Sequence, residues 1–195
     1  MLYYVGRVIL FFLGLLPVRL MAYMGRGVGE VVYWIDKRHR NVAIKNLTLV
    51  FSKEKSKEEI LALAKENFKR VIEAYFSAIA TLQKSPETVL KHYLKVYGAE
   101  NVPPNDPAIY SGKSRVALIG HFGNFELYAK VAPLLPHLQF ATTYRGLDNK
   151  VGDALLSALR SNSRCLYFER RSEGKKVCDL MSRGRSIAPL ATSVP

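Results

Sequence analysis

A chain of 195 residues, 49% of them apolar, is long enough for one sizeable core and too apolar for a disordered polymer. Its formal charge of +13, from 29 Lys and Arg against 16 Asp and Glu, points to anionic partners: nucleic acid, an anionic membrane surface, phosphorylated substrates or acidic carrier proteins. Two cysteines, Cys165 and Cys178, exclude a disulfide framework and lack the partners and spacing of a zinc site, so both read as reduced.

Residues 2–25, LYYVGRVILFFLGLLPVRLMAYMG, carry charge only at Arg7 and Arg19. A spanning helix needs about 20 mostly apolar residues, so this stretch either spans with both arginines snorkelling or lies in one leaflet. No positive n-region precedes it and no small-x-small site follows, which argues against a cleavable signal. Arg26, Lys37, Arg38, Arg40 and Lys45 come next, placing the rest of the chain on the cytoplasmic side by the positive-inside rule. Tyr23, Tyr33 and Trp34 stand where interfacial anchors belong. The competing reading is a buried apolar hairpin in a soluble protein. Residues 1–50 thus form a hydrophobic anchor with a basic juxtamembrane segment, and residues 51–195 the main domain.

Ser56 with Glu59 forms a capping box, and Ile60, Ala64, Phe68, Val71, Ile72, Tyr75, Phe76 and Ile79 recur at helical spacing, predicting a long amphipathic helix. Ser85-Pro86-Glu87 opens a second helix, expected to reach about Val96, and residues 56–97 read as a helical lead-in. Residues 98–114 are rich in turn formers. From Arg115 short apolar runs alternate with helical patterns: strand RVALIG, helix NFELYAKVAPLL, strand LQFATTY, helix NKVGDALLSALRS, strand CLYFE, helix EGKKVCDLMSRG and a last strand SIAPLA. That alternation predicts an α/β core over 115–195, built of βαβ units with a largely parallel sheet, whose ligand site lies beyond the carboxyl ends of the strands.

The segment VALIGHFGNFELY concentrates the chemistry. Gly120 and Gly123 allow a sharp turn, Asn124 is positioned as an N-cap, and Glu126 falls in the first helical turn, where the dipole favours a carboxylate. The chain can then fold back so that Glu126 meets one nitrogen of His121, leaving the other as a general base for a hydroxyl attacking an activated acyl group. Backbone N–H groups at the helix start are suited to a phosphate or a developing oxyanion. His-x4-Glu alone is a weak pattern; the strand before it and the helix after it give it weight. Arg145 follows the second strand and can hold a phosphate bidentately, while Asp148 and Asn149 organise its loop. Arg160 either pairs with a carboxylate or sits on the surface. Arg164, Arg170, Arg171, Lys175 and Lys176 form a basic cluster that suits an acidic carrier or lipid headgroups, although a solvated face is the commoner explanation.

In this order the motifs resemble those of the lipid A late acyltransferases, lauroyl and myristoyl transferases within the lysophospholipid acyltransferase superfamily. DKRHRNVAIKNLTLVFSKEKSKEEI is similar to the family's R-x-x-N-x-x-x-N-L block, GHFGNFEL to GH-x-GNWE with Phe125 at the Trp position, TYRGLDNK to YRPLDNP, and LLSALRSNS to the helix that follows. The resemblance implies a glycerolipid acyltransferase-like fold with His121 and Glu126 as the catalytic pair; by position, Gly123, Asn124, Arg145, Asn149 and Arg160 are candidates for the substrate side, a surface arginine and an ordinary Asx turn being the competing reading of the Arg145 loop. It implies an acyl thioester donor, acyl carrier protein or acyl-CoA, and a hydroxyl on a phosphorylated lipid as acceptor, at the cytoplasmic face of an inner membrane. No metal, cofactor or nucleic acid is expected, since a thioester is already activated. Gly146 and Lys150 stand where the family tends to have prolines, which predicts a looser loop. The ending ATSVP departs from the family's acidic continuation; a truncated or frame-shifted product with an unpaired sheet edge is expected from it. The alternatives are an acyltransferase for a glycerophospholipid or ornithine lipid, and an inactive basic membrane-binding relative.

Overall fold

The computed structural model describes residues 1–97, 120, 122–131, 140–161, 163 and 165–182. Helices α1 (Leu2–Leu15) and α2 (Val18–Ile35) share the apolar N-terminus but meet at 117°. Pro17 causes the break. It pushes Leu16 into extended backbone (φ −70, ψ 146) and, lacking an N–H, serves as the residue that starts α2. Neither helix alone is long and apolar enough to cross a membrane, whereas the bent pair has the length and composition of a broken span or re-entrant loop.

A buried hairpin it is not: α1 has no buried residue, and Tyr4, Val8, Phe11, Phe12 and Leu15 are all exposed. The inner face of α2 is different. Met21, Gly25, Gly29 and Tyr33, spaced by four, lie in one buried line against α4 (Lys57–Leu82). A Cβ on Gly25 would come within 2.7 Å of the Glu73 Cα, and one on Gly29 within 2.7 Å of both the Lys69 Cα and the Phe68 carbonyl oxygen. The two backbones therefore nearly touch, and only glycine fits between them. Ion pairs flank the seam: Arg26 with Glu66 and Glu73, and Lys65 and Lys69 with Glu30. Partly exposed pairs of this kind set register more than they add stability.

The predicted capping box opens α4: Ser56 Oγ accepts from the Glu59 N–H at 3.2 Å, and Glu59 Oε2 accepts from the Ser56 N–H at 2.7 Å. Ile60 and Ala64 are buried as expected, but Val71 and Tyr75 are exposed; α2 covers one side of α4, and Tyr75 and Ile79 line an open cavity. The basic segment after α2 is helical, α3 (Lys37–Phe51), capped by Asp36, which accepts from the His39 N–H. Helix α5 (Pro86–His92) begins at Ser85-Pro86 as predicted but stops before the expected Val96. Tyr93 leaves helical geometry at φ −128, and Val89 O closes the end by accepting from the N–H groups of both Tyr93 and Leu94.

Beyond it, NFELYAKVAPLL yields a 3-10 helix, Phe125–Lys130, in place of the longer helix expected. Its entry lacks a side-chain cap, and Pro133 opposes helix continuation in sequence. Strand β1 (Ala141–Tyr144), helix α6 (Lys150–Arg160), strand β2 (Leu166–Glu169) and helix α7 (Gly174–Ser182) follow near their predicted places. β1 and β2 are parallel, with Ala141 opposite Leu166 and Tyr144 opposite Glu169. On one face Ala141 and Phe168 pack with Val177 and Leu180 of α7, whereas Tyr144 and Tyr167 face the end of α6. Helix and sheet are thus mixed as an α/β reading requires, with two strands among the described residues. The predicted strands RVALI and SIAPLA, and the loop 98–114, lie outside them.

Candidate functional site

Among the described residues only Gly123 has a positive φ, at +54, and this left-handed step turns the chain from Phe122 into the 3-10 helix. Asn124 occupies the N-cap position, but its side chain does not cap. Its Nδ2 donates to Thr81 Oγ1 near the end of α4 at 3.0 Å, and its Oδ1 is buried with no partner among the described residues. Glu126 lies in the first turn, as expected, and is 7% exposed. His121, its expected partner, lies outside the described residues, as does Arg164.

The carboxylate of Glu126 is gripped by Arg160 from the last turn of α6. Nε donates to Oε1 at 3.1 Å and to Oε2 at 3.2 Å, and Nη2 also bonds Oε1. Arg160, 8% exposed, lies over the rings of Tyr144 and Tyr167, 5.1 and 5.0 Å from their centroids. A planar guanidinium lying over two rings and forked onto a carboxylate has little rotational freedom left, so the Glu126 carboxylate is held in place. Of the two sequence readings of Arg160, pairing with a carboxylate is the one the geometry displays.

Lys130 ends the same 3-10 helix and is fully buried; its Nζ donates to Leu82 O at 3.0 Å and Lys84 O at 2.8 Å. Gln83 Nε2 meanwhile donates to Leu10 O of α1 at 2.7 Å. Thr81, Leu82, Gln83 and Lys84 thus tie the candidate loop and α1 to one end of α4. Sequence reasoning passed over this junction and the Tyr144 and Tyr167 pair. The polar Thr81-Leu82-Gln83-Lys84 ending of an apolar helix was the available signal.

Burial pushes the Lys130 ammonium down to about 8 from 10.5, against the opposing attraction of Glu87 and Glu126. Between those pH values the unfolded lysine binds a proton that the folded one does not, so stability rises with pH. Burial also raises the Cys165 thiol from 9.0 to about 12, with the opposite sign: stability falls from pH 9.0 upward as the unfolded thiol ionises first. The expected result in thermal unfolding is a stabilisation between pH 8 and pH 9 that Lys130→Met abolishes and Cys165→Ala leaves intact.

A cavity of about 650 Å³ opens between α1, α4 and α6. Ile9, Leu10, Tyr75, Ile79, Leu155 and Leu159 make its walls apolar, while Gly123, Asn124, Glu126, Arg145 and Arg160 gather at its polar part. Arg145 is exposed. Asn149 does not line the cavity; its Oδ1 caps α6, accepting from the N–H groups of Val151 and Gly152 at 2.9 and 3.0 Å. Asp153 Oδ1 accepts from the Leu147 N–H, so the loop expected to loosen at Gly146 and Lys150 is fastened from within α6. An apolar pocket of this size with a few convergent polar groups suits a hydrocarbon chain whose reactive end meets Glu126.

A family model described as bacterial lipid A biosynthesis acyltransferase matches residues 1–192 of the chain. No curated protein sequence matched it.

Proposed function

The chain belongs to the bacterial lipid A biosynthesis acyltransferase family, and on that premise we propose that it moves a fatty acyl group from a thioester to a hydroxyl of a phosphorylated lipid A precursor. The observation that carries the reading is the buried Glu126–Arg160 clamp at the polar part of an apolar cavity. The acyl chain of the donor lies along Ile9, Ile79 and Leu155, with its thioester carbonyl beside the loop. His121 takes the proton of the acceptor hydroxyl as that oxygen attacks the carbonyl carbon. Glu126 fixes the imidazole tautomer and faces the charge that forms on it, and Arg160 keeps Glu126 in place. The tetrahedral intermediate collapses by breaking the carbon–sulfur bond, and the proton held on His121 passes to the departing thiolate.

Arg145 is exposed beside the cavity, suited to a phosphate of the acceptor. Acyl carrier protein or acyl-CoA is the donor in this reading, and the positive charge favours an acidic carrier. The exposed apolar residues of α1, with the outer residues Leu20, Tyr23, Val31 and Trp34 of α2, support attachment to the cytoplasmic face of an inner membrane.

The test is transfer of a labelled acyl chain from acyl carrier protein to a lipid A precursor by membranes containing this chain. Labelled product is expected from the unaltered chain and none above background from His121→Ala. Equal product from both would overturn the assignment of the base, and no product from a folded, membrane-bound chain would overturn the activity.

A further inference from the structure

A second cavity, of about 400 Å³, lies against the same loop and shares Asn124 with the first. Leu94 and Val96, which follow α5, form part of it, and Leu127 and Val131 line it from the 3-10 helix segment. Tyr97 and Phe122 also line it and are 85% and 83% exposed, a large aromatic surface beside the loop that carries Glu126. Lys95 supplies positive charge within the lining.

Resting on the acyl-transfer reading, we propose that this second cavity seats a hydrocarbon chain of the acceptor lipid, so that donor and acceptor chains approach the reacting atoms separately. Two observations converge on that occupant. The reaction unites two chain-bearing molecules at one carbon, and two separate cavities adjoin the loop that carries Glu126. Residues along the 3-10 helix segment divide between the cavities, Glu126 lining the first and Leu127 and Val131 the second, with Asn124 common to both. A chain with an anionic headgroup matches apolar walls with Lys95 among them. An acyl carrier protein, whose own acyl chain occupies the first cavity, has no such chain to place here.

Steady-state kinetics of the full chain, varying donor and acceptor in turn, test the assignment. Leu127→Trp fills the cavity, and Tyr97→Asp places a charge at an exposed wall where folding is not at risk. Each is expected to raise the acceptor KM by about tenfold, the scale of two buried methylenes, with the donor KM held within about twofold. Leu155→Trp, in the first cavity, is expected to raise the donor KM. An unchanged acceptor KM in Tyr97→Asp, or a rise confined to the donor, overturns the proposal.

A binding measurement separates this from failure of the activity itself. In a Trp34→Phe background, Tyr128→Trp places the sole indole in the lining, and a brominated 3-hydroxy fatty acid is expected to quench it saturably, with Tyr97→Asp abolishing the effect. Saturable quenching without any acyl transfer would uphold the chain seat and sink the proposed reaction. Absence of saturable quenching would sink the seat.

Discussion

Replacing Arg160 with methionine is expected to lower acyl transfer by about two to three orders of magnitude, the scale lost when a general base no longer works efficiently. Arg160 is a positioning residue in this reading, acting through Glu126. Methionine leaves a buried carboxylate without its forked partner, which costs about 3–5 kcal/mol of stability as well. A loss of activity through unfolding alone would therefore look similar, and the double substitution Glu126→Gln with Arg160→Met separates the two effects. Removing both charges takes away most of the burial penalty, so unfolding should recover towards the unaltered chain while transfer stays low. Arg160→Lys keeps the charge but presents one ammonium in place of a fork and cannot lie flat over Tyr144 and Tyr167. Near-normal turnover in Arg160→Lys would show that charge suffices and that the planar clamp is not needed.

The second large effect lies far from the chemistry. Gly29→Leu should destabilise the N-terminal helices by about 3 kcal/mol or more, read as the midpoint of denaturant unfolding in detergent. The first side-chain carbon would meet the Lys69 Cα and the Phe68 carbonyl oxygen at 2.7 Å, and neither is a flexible side chain able to swing away. Alanine at Gly29 tests the same contact with less bulk: it gains about 0.5–1 kcal/mol of helix propensity and still loses overall, because the clash is with backbone. Gly27, on the same helix, has nothing within 4 Å of its Cβ position. Gly27→Ala should therefore stabilise by that propensity gain. If Gly27→Ala and Gly29→Ala shifted the midpoint equally, the close crossing would be wrong.

These effects mark the boundary of what the sequence could say. The capping box at Ser56, the start at Ser85-Pro86, and the positions of β1, α6, β2 and α7 are written in contacts a few residues long, and local chemistry settles them. The narrow approach of α2 to α4 is not local. Met21, Gly25, Gly29 and Tyr33 have helical spacing, but local spacing does not say which element that line packs against or how closely. The early end of α5 and the 3-10 geometry after Asn124 depend on how the ends of those segments are held. Asn124 illustrates the difference: its N-cap position was legible, but the hydrogen bond to Thr81 depends on α4 arriving beside the loop. Likewise the sequence could offer Arg160 a carboxylate but could not choose Glu126, since that pairing joins residues 34 positions apart.

The short segment from Thr81 to Lys84 has a consequence for cooperativity. Asn124 and Lys130 fasten the loop to it, and Gln83 fastens α1, so the last turn of α4 is common ground for parts of the chain distant in sequence. Fraying at that turn releases the wall of the apolar cavity and the support of Glu126 together. In native-state hydrogen exchange, α1 and the 3-10 helix would then belong to one opening unit, with similar free energies of opening and similar sensitivity to denaturant. A protein tied together at this junction is expected to lose a wall of its apolar cavity and the anchoring of the 3-10 helix in the same event, with no intermediate that retains one without the other.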